Sequence, residues 1–430
     1  MSARDVGRPV PRATNYLARF ADEELARRLS ATGAVLVEGP RGSGKTETSL
    51  RAAKSAVRLD RDDAARAAGL LDPALLLDGE RPRLIDEWQL VPNVWNQVRS
   101  DVDDHPEETG RFILTGSAVP ADDATRHSGA LRFTRLRMRP MSLAESGHST
   151  GDVSLAGLLA GETPRAGDPG LRIRDLAERI VVGGWPALAP RGVRDAMVAL
   201  RGYLDETRRV DLIRVDGIRR DPENVERVLR SLARNIATAA SARAIAADVG
   251  GVDGPIDYHT VLDYNSVLSR VFVIEDLPAW SPALRSRMTL RTAATRHFVD
   301  PSLATAALGA SPERLLQDVK TLGLLFESLV VRDLRIYAQA IDADVFHYRD
   351  ASGLEADAVV ELPDGRWAAF EIKLGQASVD SAASTLLRVS DRVDAERHGR
   401  AAALVVITGW GYGYRRPDGV SVIPIGALAP

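Results

Sequence analysis

The run Gly39-Pro40-Arg41-Gly42-Ser43-Gly44-Lys45-Thr46 follows an apolar stretch, Ala34-Val35-Leu36-Val37, and precedes a segment of helical composition. Few folds accommodate that order. Glycines let the backbone curl between a strand and a helix so that successive N–H groups and the helix N-terminus face one point, which suits an anion. The spacing G-x-x-x-x-G-K-[ST] adds Lys45 for β- and γ-phosphate oxygens and Thr46 for a hydroxyl on Mg²⁺. A glycine-rich turn that merely caps a helix is the plain alternative. The preceding strand speaks against it, and so does the rarity of lysine: Lys45, Lys54, Lys320 and Lys373 are the only lysines among 56 Lys plus Arg. A solvated surface accepts either cation, whereas a reaction centre distinguishes a compact ammonium from a planar guanidinium. Lys45 and Lys373 are therefore marked.

Binding a nucleotide does not hydrolyse it. Hydrolysis calls for a carboxylate near the metal and a base that orients water. Leu84-Ile85-Asp86-Glu87 ends a second apolar strand and offers Asp86 as a Mg²⁺ contact and Glu87 as the base. A helix N-cap pair is the other reading of these two acids. A third strand, Arg111-Phe112-Ile113-Leu114-Thr115-Gly116-Ser117, places the Thr115 hydroxyl where a γ-phosphate would be sensed. ATP and Mg²⁺ are the expected ligands, bound by Gly39, Pro40, Arg41, Gly42, Ser43, Gly44, Lys45, Thr46 and Thr115.

At 430 residues the chain exceeds one ordinary core, and 45% hydrophobic with 27% charged residues describes a folded soluble protein. A net charge of −3 supplies no global attraction to nucleic acid or membrane, so any such contact must be local. Cysteine is absent, which excludes disulfides, thiolate metal sites and a cysteine nucleophile. No apolar leader and no run of about 18 apolar residues occurs, so a cytoplasmic location and no membrane partner are expected.

Four segments are expected in an α/β multidomain chain: a nucleotide-binding core at 1–145, a helical lid at 146–220, a winged-helix-like module at 221–305 and a strand-rich α/β domain at 306–430. In the third, two capped helices, a strand over Val271–Leu277 and a loop with Arg285, Arg287 and Arg291 suggest a winged helix-turn-helix. Tyr258, His259, Tyr264 and Asn265 would face a DNA groove, while Asp257 and Asp263 argue for a protein contact instead. In the fourth, strand Leu354–Glu361, the turn Leu362-Pro363-Asp364-Gly365 and strand Arg366–Lys373 form a hairpin that sets Asp357 across from the Phe370–Glu371 region. Glu371 and Lys373 share one face. Glu327 sits upstream on a long helix spanning Leu315 to Tyr337. A surface hairpin with an i, i+2 charge pair is the bland alternative.

The phosphate motif with the later strands resembles the AAA-type P-loop ATPases. Gly39-Pro40-Arg41, Leu114-Thr115-Gly116-Ser117, Met138-Arg139-Pro140-Met141-Ser142-Leu143-Ala144-Glu145 and Gly183-Gly184-Trp185-Pro186 are similar, more narrowly, to an uncharacterised prokaryotic group in which such an ATPase is fused to a C-terminal domain with a restriction-endonuclease-like core. Asp357 followed by Glu371-Ile372-Lys373 resembles the PD-(D/E)xK nuclease core. That resemblance implies a second Mg²⁺ or Mn²⁺ on Asp357, Glu371 and Glu327, with Lys373 as a catalytic residue that positions or activates the attacking water, distinct from the Glu87 base of the ATPase. It further implies DNA as partner. The AAA-type resemblance implies an arginine that closes a neighbour's ATP in a homo-oligomer, and Arg126, Arg132 and Arg135 are all candidates for it, none singled out by the sequence. The expected activity is ATP hydrolysis coupled to DNA binding or cleavage. The alternative is a nucleotide-controlled regulator or scaffold, bound to a partner protein, with an inactive nuclease-like domain.

Overall fold

The computed structural model describes residues 16–117, 128–250, 256–281 and 293–430. They form two compact units, one of residues 1–140 with 214–218 and 270–272, the other of the remainder. Residues 214–218 of the expected lid and 270–272 of the expected winged-helix segment are grouped with the first unit, and the rest of the three later segments with the second.

The first unit contains α1 (Phe20–Ala31), β1 (Ala34–Glu38), α2 (Lys45–Ala52), β2 (Ser55–Arg58), α3 (Asp63–Leu71), β3 (Arg83–Asp86), α4 (Val94–Asp104), β4 (Phe112–Gly116) and β5 (Phe133–Arg137). Its sheet runs β2-β3-β4-β1-β5, and every pair is parallel. Alternate residues serve opposite faces. Ala34, Leu36, Ile85, Phe112 and Leu114 pack with Trp88, Trp95 and Val98, while Val35, Val37, Leu84 and Ile113 pack with Leu25, Leu29 and Leu50. Cover on both faces explains strands that read as unbroken apolar runs. With β4 seated between β1 and β3, the phosphate loop and Asp86 lie on either side of Thr115.

The second unit begins with β6 (Val153–Ser154), α5 (Leu155–Leu159), α6 (Ile173–Val182), α7 (Val193–Glu206) and α8 (Leu212–Asp216), the last partly assigned to the first unit. Next come α9 (Pro222–Arg234), α10 (Ala242–Val249) and α11 (Tyr258–Arg270). Side chains of Asp221 and Ser241 cap the first two of these by accepting from Glu223 N and Ala244 N. The strand expected at Val271–Leu277 is instead a pair of isolated antiparallel bridges, Ile274 with Phe298 and Leu277 with Thr295.

The remaining elements are α12 (Pro301–Leu308), α13 (Pro312–Gln317), α14 (Val319–Ala340), β7 (Asp344–Arg349), β8 (Glu355–Glu361), β9 (Trp367–Lys373), α15 (Val379–Arg392), α16 (Ala395–His398), β10 (Ala403–Thr408), β11 (Tyr414–Arg415), β12 (Ser421–Pro424) and β13 (Leu428–Ala429). The long helix expected from Leu315 is broken at Asp318, whose carboxylate accepts from Thr321 N and Oγ1 and starts α14 afresh. The main sheet runs β11-β12-β10-β9-β8-β7, with β13 paired to β6 apart from it. Leu386 and Val389 of α15 pack with Ala369, Trp367 and Val406, and α14 packs on β7, β8 and β9.

Candidate functional site

The phosphate loop leaves β1 at Gly39, where φ is +153° and a side chain would meet Met138 O at 2.1 Å. Gly42 and Gly44 also take positive φ, a conformation open to glycine at no steric cost. Lys45 is buried at the start of α2, and its Nζ donates to Gly39 O at 2.9 Å and Pro40 O at 2.8 Å. Burial pulls its pKa down to about 8, with Glu87 and Asp86 opposing the fall. Thr46 Oγ1 donates to Asp86 Oδ1 at 2.9 Å. That hydroxyl and carboxylate are hard oxygen donors side by side, a set that fits Mg²⁺.

Thr115 is wholly buried, and its hydroxyl donates to Asp86 Oδ1 while accepting from Glu87 N at 3.2 Å. Its hydroxyl thus bridges the two acids. Glu87 takes a left-handed backbone, φ 58° and ψ 46°, rare for a residue with a long side chain. Gln89 Nε2 donates to Glu87 Oε2, and Ser117 Oγ donates to the same oxygen at 3.3 Å. Sequence reasoning missed Gln89, and also Arg58, whose Nε lies 3.3 Å from Asp86 Oδ2. It missed Arg19 as well, which donates to Ser43 O at 2.7 Å and braces the loop. Only Gln89, two residues from Glu87, left a signal in the sequence.

Among the arginines considered for a neighbour's ATP, Arg132 pairs with Asp103 at 2.6 Å and Arg135 with Glu38 at 2.9 Å. Arg126 lies outside the described residues. So do Arg285, Arg287 and Arg291 of the expected wing. On α11 the groove reading needs correction: Tyr264 and Asn265 are buried in the unit's core, and Asp263 is held by Arg220 Nε at 2.8 Å. The exposed face of α11 carries His259, Leu262, Asp263, Ser266 and Ser269, with no arginine or lysine.

In the second unit Glu327, Asp357, Glu371 and Lys373 do converge. Register Ala358 with Phe370 puts Asp357 opposite Glu371 on the β8–β9 pair. Lys373 Nζ stands 2.6 Å from Glu371 Oε2 and 3.1 Å from Asp357 Oδ2. Asp357 Oδ2 also accepts from Ile372 N at 2.7 Å, which fixes the carboxylate over the strand. Burial, then the Asp357 charge, raises Glu371 to about 7 and holds Glu327 well above the carboxylate range, while Lys373 eases both. For Lys373 burial alone would lower the pKa, but Asp357 and Glu371 outweigh it and keep the ammonium charged. A lysine held in this way is an electrostatic group, not a proton acceptor. The donor chemistry, three crowded carboxylates, suits a hard cation, yet the spacing does not: among the described residues no group of three or more Asp, Glu or His side chains is set to hold a metal ion. The Lys373 ammonium already fills the place between Asp357 and Glu371.

Residues 31–147 match the AAA domain family, residues 173–314 a domain of unknown function, DUF8612, and residues 322–428 another, DUF4143. The first unit carries a P-loop ATPase-type domain. An uncharacterised protein of Mycobacterium bovis and one of Mycobacterium tuberculosis are each 27% identical over 368 residues, which cover 83% of this chain and 73% of theirs. A Walker-type ATPase of Pyrococcus abyssi shares 14% identity with a TM-score of 0.45, over 70% of this chain and 98% of that one. Among the described residues no helix is long and apolar enough to cross a membrane.

Proposed function

We propose that the chain binds and hydrolyses ATP at the loop Gly39–Thr46, with Asp86 beside Thr46 at the Mg²⁺ position and Glu87 orienting the attacking water. The observation that carries this reading is the hydrogen-bonded series Thr46, Asp86, Thr115, Glu87 across the ends of neighbouring parallel strands. Mg²⁺ there would neutralise phosphate charge. The chain's own part is distinct. Loop amides and Lys45 receive the phosphates, Thr115 fixes both acids, and Gln89 with Ser117 aims the Glu87 carboxylate. Lys45→Ala should abolish tight ATP binding, while Glu87→Gln should keep binding and lose turnover by about 10²–10⁴-fold. Unchanged turnover in Glu87→Gln would remove Glu87 from the role.

A second reading concerns the carboxylate–lysine cluster, which we place on the phosphodiester backbone of a nucleic acid. The convergence of Glu327, Asp357, Glu371 and Lys373 supports it. Calorimetry with Mn²⁺, paired with a cleavage assay, tests it. Metal binding and cleavage that are both lost in Asp357→Ala support a nuclease. No Mn²⁺ binding and no cleavage in the wild type, while ATP is still hydrolysed, would leave this sheet as a recognition module.

A further inference from the structure

The strand end that carries Lys373 is shared by an unusual loop, Gly409-Trp410-Gly411-Tyr412-Gly413-Tyr414-Arg415-Arg416. Thr408 of β10 is in register with Lys373 of β9. Gly409 N donates to Leu374 O at 3.2 Å, and Gln376 Nε2 donates to Trp410 O at 2.6 Å, so the loop is tied to the residues that follow Lys373. From Tyr412 to Tyr414 the chain is extended and alternates exposed, buried, exposed. The buried member, Gly413, bridges Ala166, whose Cβ lies where a side chain on Gly413 would come within 2.8 Å. Glycine thus lets two tyrosines stand on the solvent side, two residues apart, or about 6.6–6.8 Å along the strand. Tyr412 is 66% and Tyr414 43% exposed, and among the described residues no other tyrosine, tryptophan or phenylalanine is as exposed.

Arginines rim them. Arg416 bridges Asp380 at 2.5 Å and Asp418 at 3.0 Å, which leaves one carboxylate charge in excess there. Arg172, paired with Asp168, lies near Tyr412. Arg415 donates only to the carbonyl of Gly419 and the hydroxyl of Thr163, and Arg165, next to the bridging Ala166, is exposed. Neither has a carboxylate within ion-pair distance among the described residues. Exposed aromatic faces are costly to leave in water, and a rim of arginine selects a polyanion that also offers flat apolar faces.

We propose that Tyr412 and Tyr414, rimmed by Arg165, Arg172 and Arg415, form a stacking platform for a single-stranded polynucleotide beside the carboxylate–lysine cluster. The inference rests on the nucleic-acid reading of that cluster and names its substrate class. Each ring stacks one unpaired base, and the guanidinium groups follow the backbone. Duplex bases are stacked on each other and cannot occupy the platform.

The experiment measures fluorescence anisotropy of labelled dT20, rU20 and a 20-base-pair duplex with the full chain in EDTA. Wild type should bind the single strands more tightly than the duplex, and the dT20 and rU20 arms separate DNA from RNA as the source. Tyr412→Ala with Tyr414→Ala should weaken single-strand binding by about ten- to hundredfold, the loss of one or two stacked bases. Tyr412→Phe with Tyr414→Phe should restore it, because the ring survives; unchanged thermal unfolding verifies the fold. A double alanine variant that binds like wild type, or a wild type that prefers duplex or binds no oligonucleotide, overturns the platform. If Mn²⁺ adds no cleavage while binding behaves as stated, the platform stands and cleavage falls. Cleavage by an alanine variant that binds like wild type overturns the platform and leaves cleavage standing.

Discussion

Burial makes Lys45 sensitive to pH, and the two consequences run in opposite directions. Its ammonium is needed by phosphate oxygens, yet the free protein begins to lose that proton near pH 8. ATP affinity should therefore fall roughly five- to tenfold between pH 7.5 and 9. For stability the sign reverses. The folded pKa lies below the ordinary 10.5, so the charged form costs stability below pH 8, and that cost is relieved as pH rises from 8 toward 10.5. Titrations of a fluorescent nucleotide at fixed ionic strength check the first trend, and a flat profile from pH 7 to 9.5 refutes it. Glu87 poses a different residue-scale problem. Its left-handed backbone carries strain of about 1–3 kcal/mol, accepted where it aims the carboxylate. Glu87→Gly should raise the unfolding free energy by about 1 kcal/mol in urea while abolishing turnover. A loss of stability would mean that Gln89 and Ser117 hold the turn more strongly than the strain opposes it.

At the scale of elements, α14 is anchored by a buried charge group with partners distant in sequence. Arg332 reaches Asp300 at 2.8 Å and Asp333 at 2.7 Å, Asp300 also accepts from Gly184 N, and Asp333 from Leu143 N, both at 3.0 Å. Gly184 cannot be enlarged, because a Cβ would lie 2.0 Å from Met141 O. The sequence motifs around Met141 and Gly183 thus owe their residue types to one knot on α14. Arg332→Met should destabilise the second unit by about 3–5 kcal/mol, since it strands two buried carboxylates. Chemical denaturation reads the loss; a shift under 1 kcal/mol would mean that water reaches the pair. No local pattern announces this knot, because Asp300 and Arg332 belong to different elements and their approach is set by packing. What was legible obeyed local rules: glycines and lysine after a strand, acids at strand ends, a Pro-Asp-Gly turn that fixes the hairpin register. The break at Asp318 competed with an uninterrupted apolar period and was hidden by it. Tyr264 and Asn265 were misjudged for a related reason: polar side chains read as surface groups until tertiary packing buries them. The order of the first sheet, with β4 between β1 and β3, likewise comes from long-range pairing rather than from any stretch of sequence.

For the whole molecule, a net charge of −3 means that affinity for a polyanion must reside in patches and respond to salt through those patches. Coupling between the two proposed activities can then be tested by equilibrium binding alone, because linkage is reciprocal. If ATP changes oligonucleotide affinity by some factor, the oligonucleotide must change ATP affinity by the same factor. Glu87→Gln supplies a form expected to hold ATP unhydrolysed, so both affinities are equilibrium quantities. We expect dT20 to bind this variant about 5–150-fold differently with and without saturating ATP, the usual range of such couplings. ATP titrated with and without saturating dT20 should return an equal ratio. Two ratios that agree and differ from one identify a nucleotide-controlled polynucleotide binder. Ratios of one in both directions would mean that the P-loop unit and the carboxylate–lysine unit work independently, and the regulator reading would fail while each site kept its own chemistry. Repeating the pair of titrations with Lys45→Ala provides the control. Its oligonucleotide affinity should match that of nucleotide-free Glu87→Gln and stay unmoved by ATP, since the phosphate loop can no longer report occupancy.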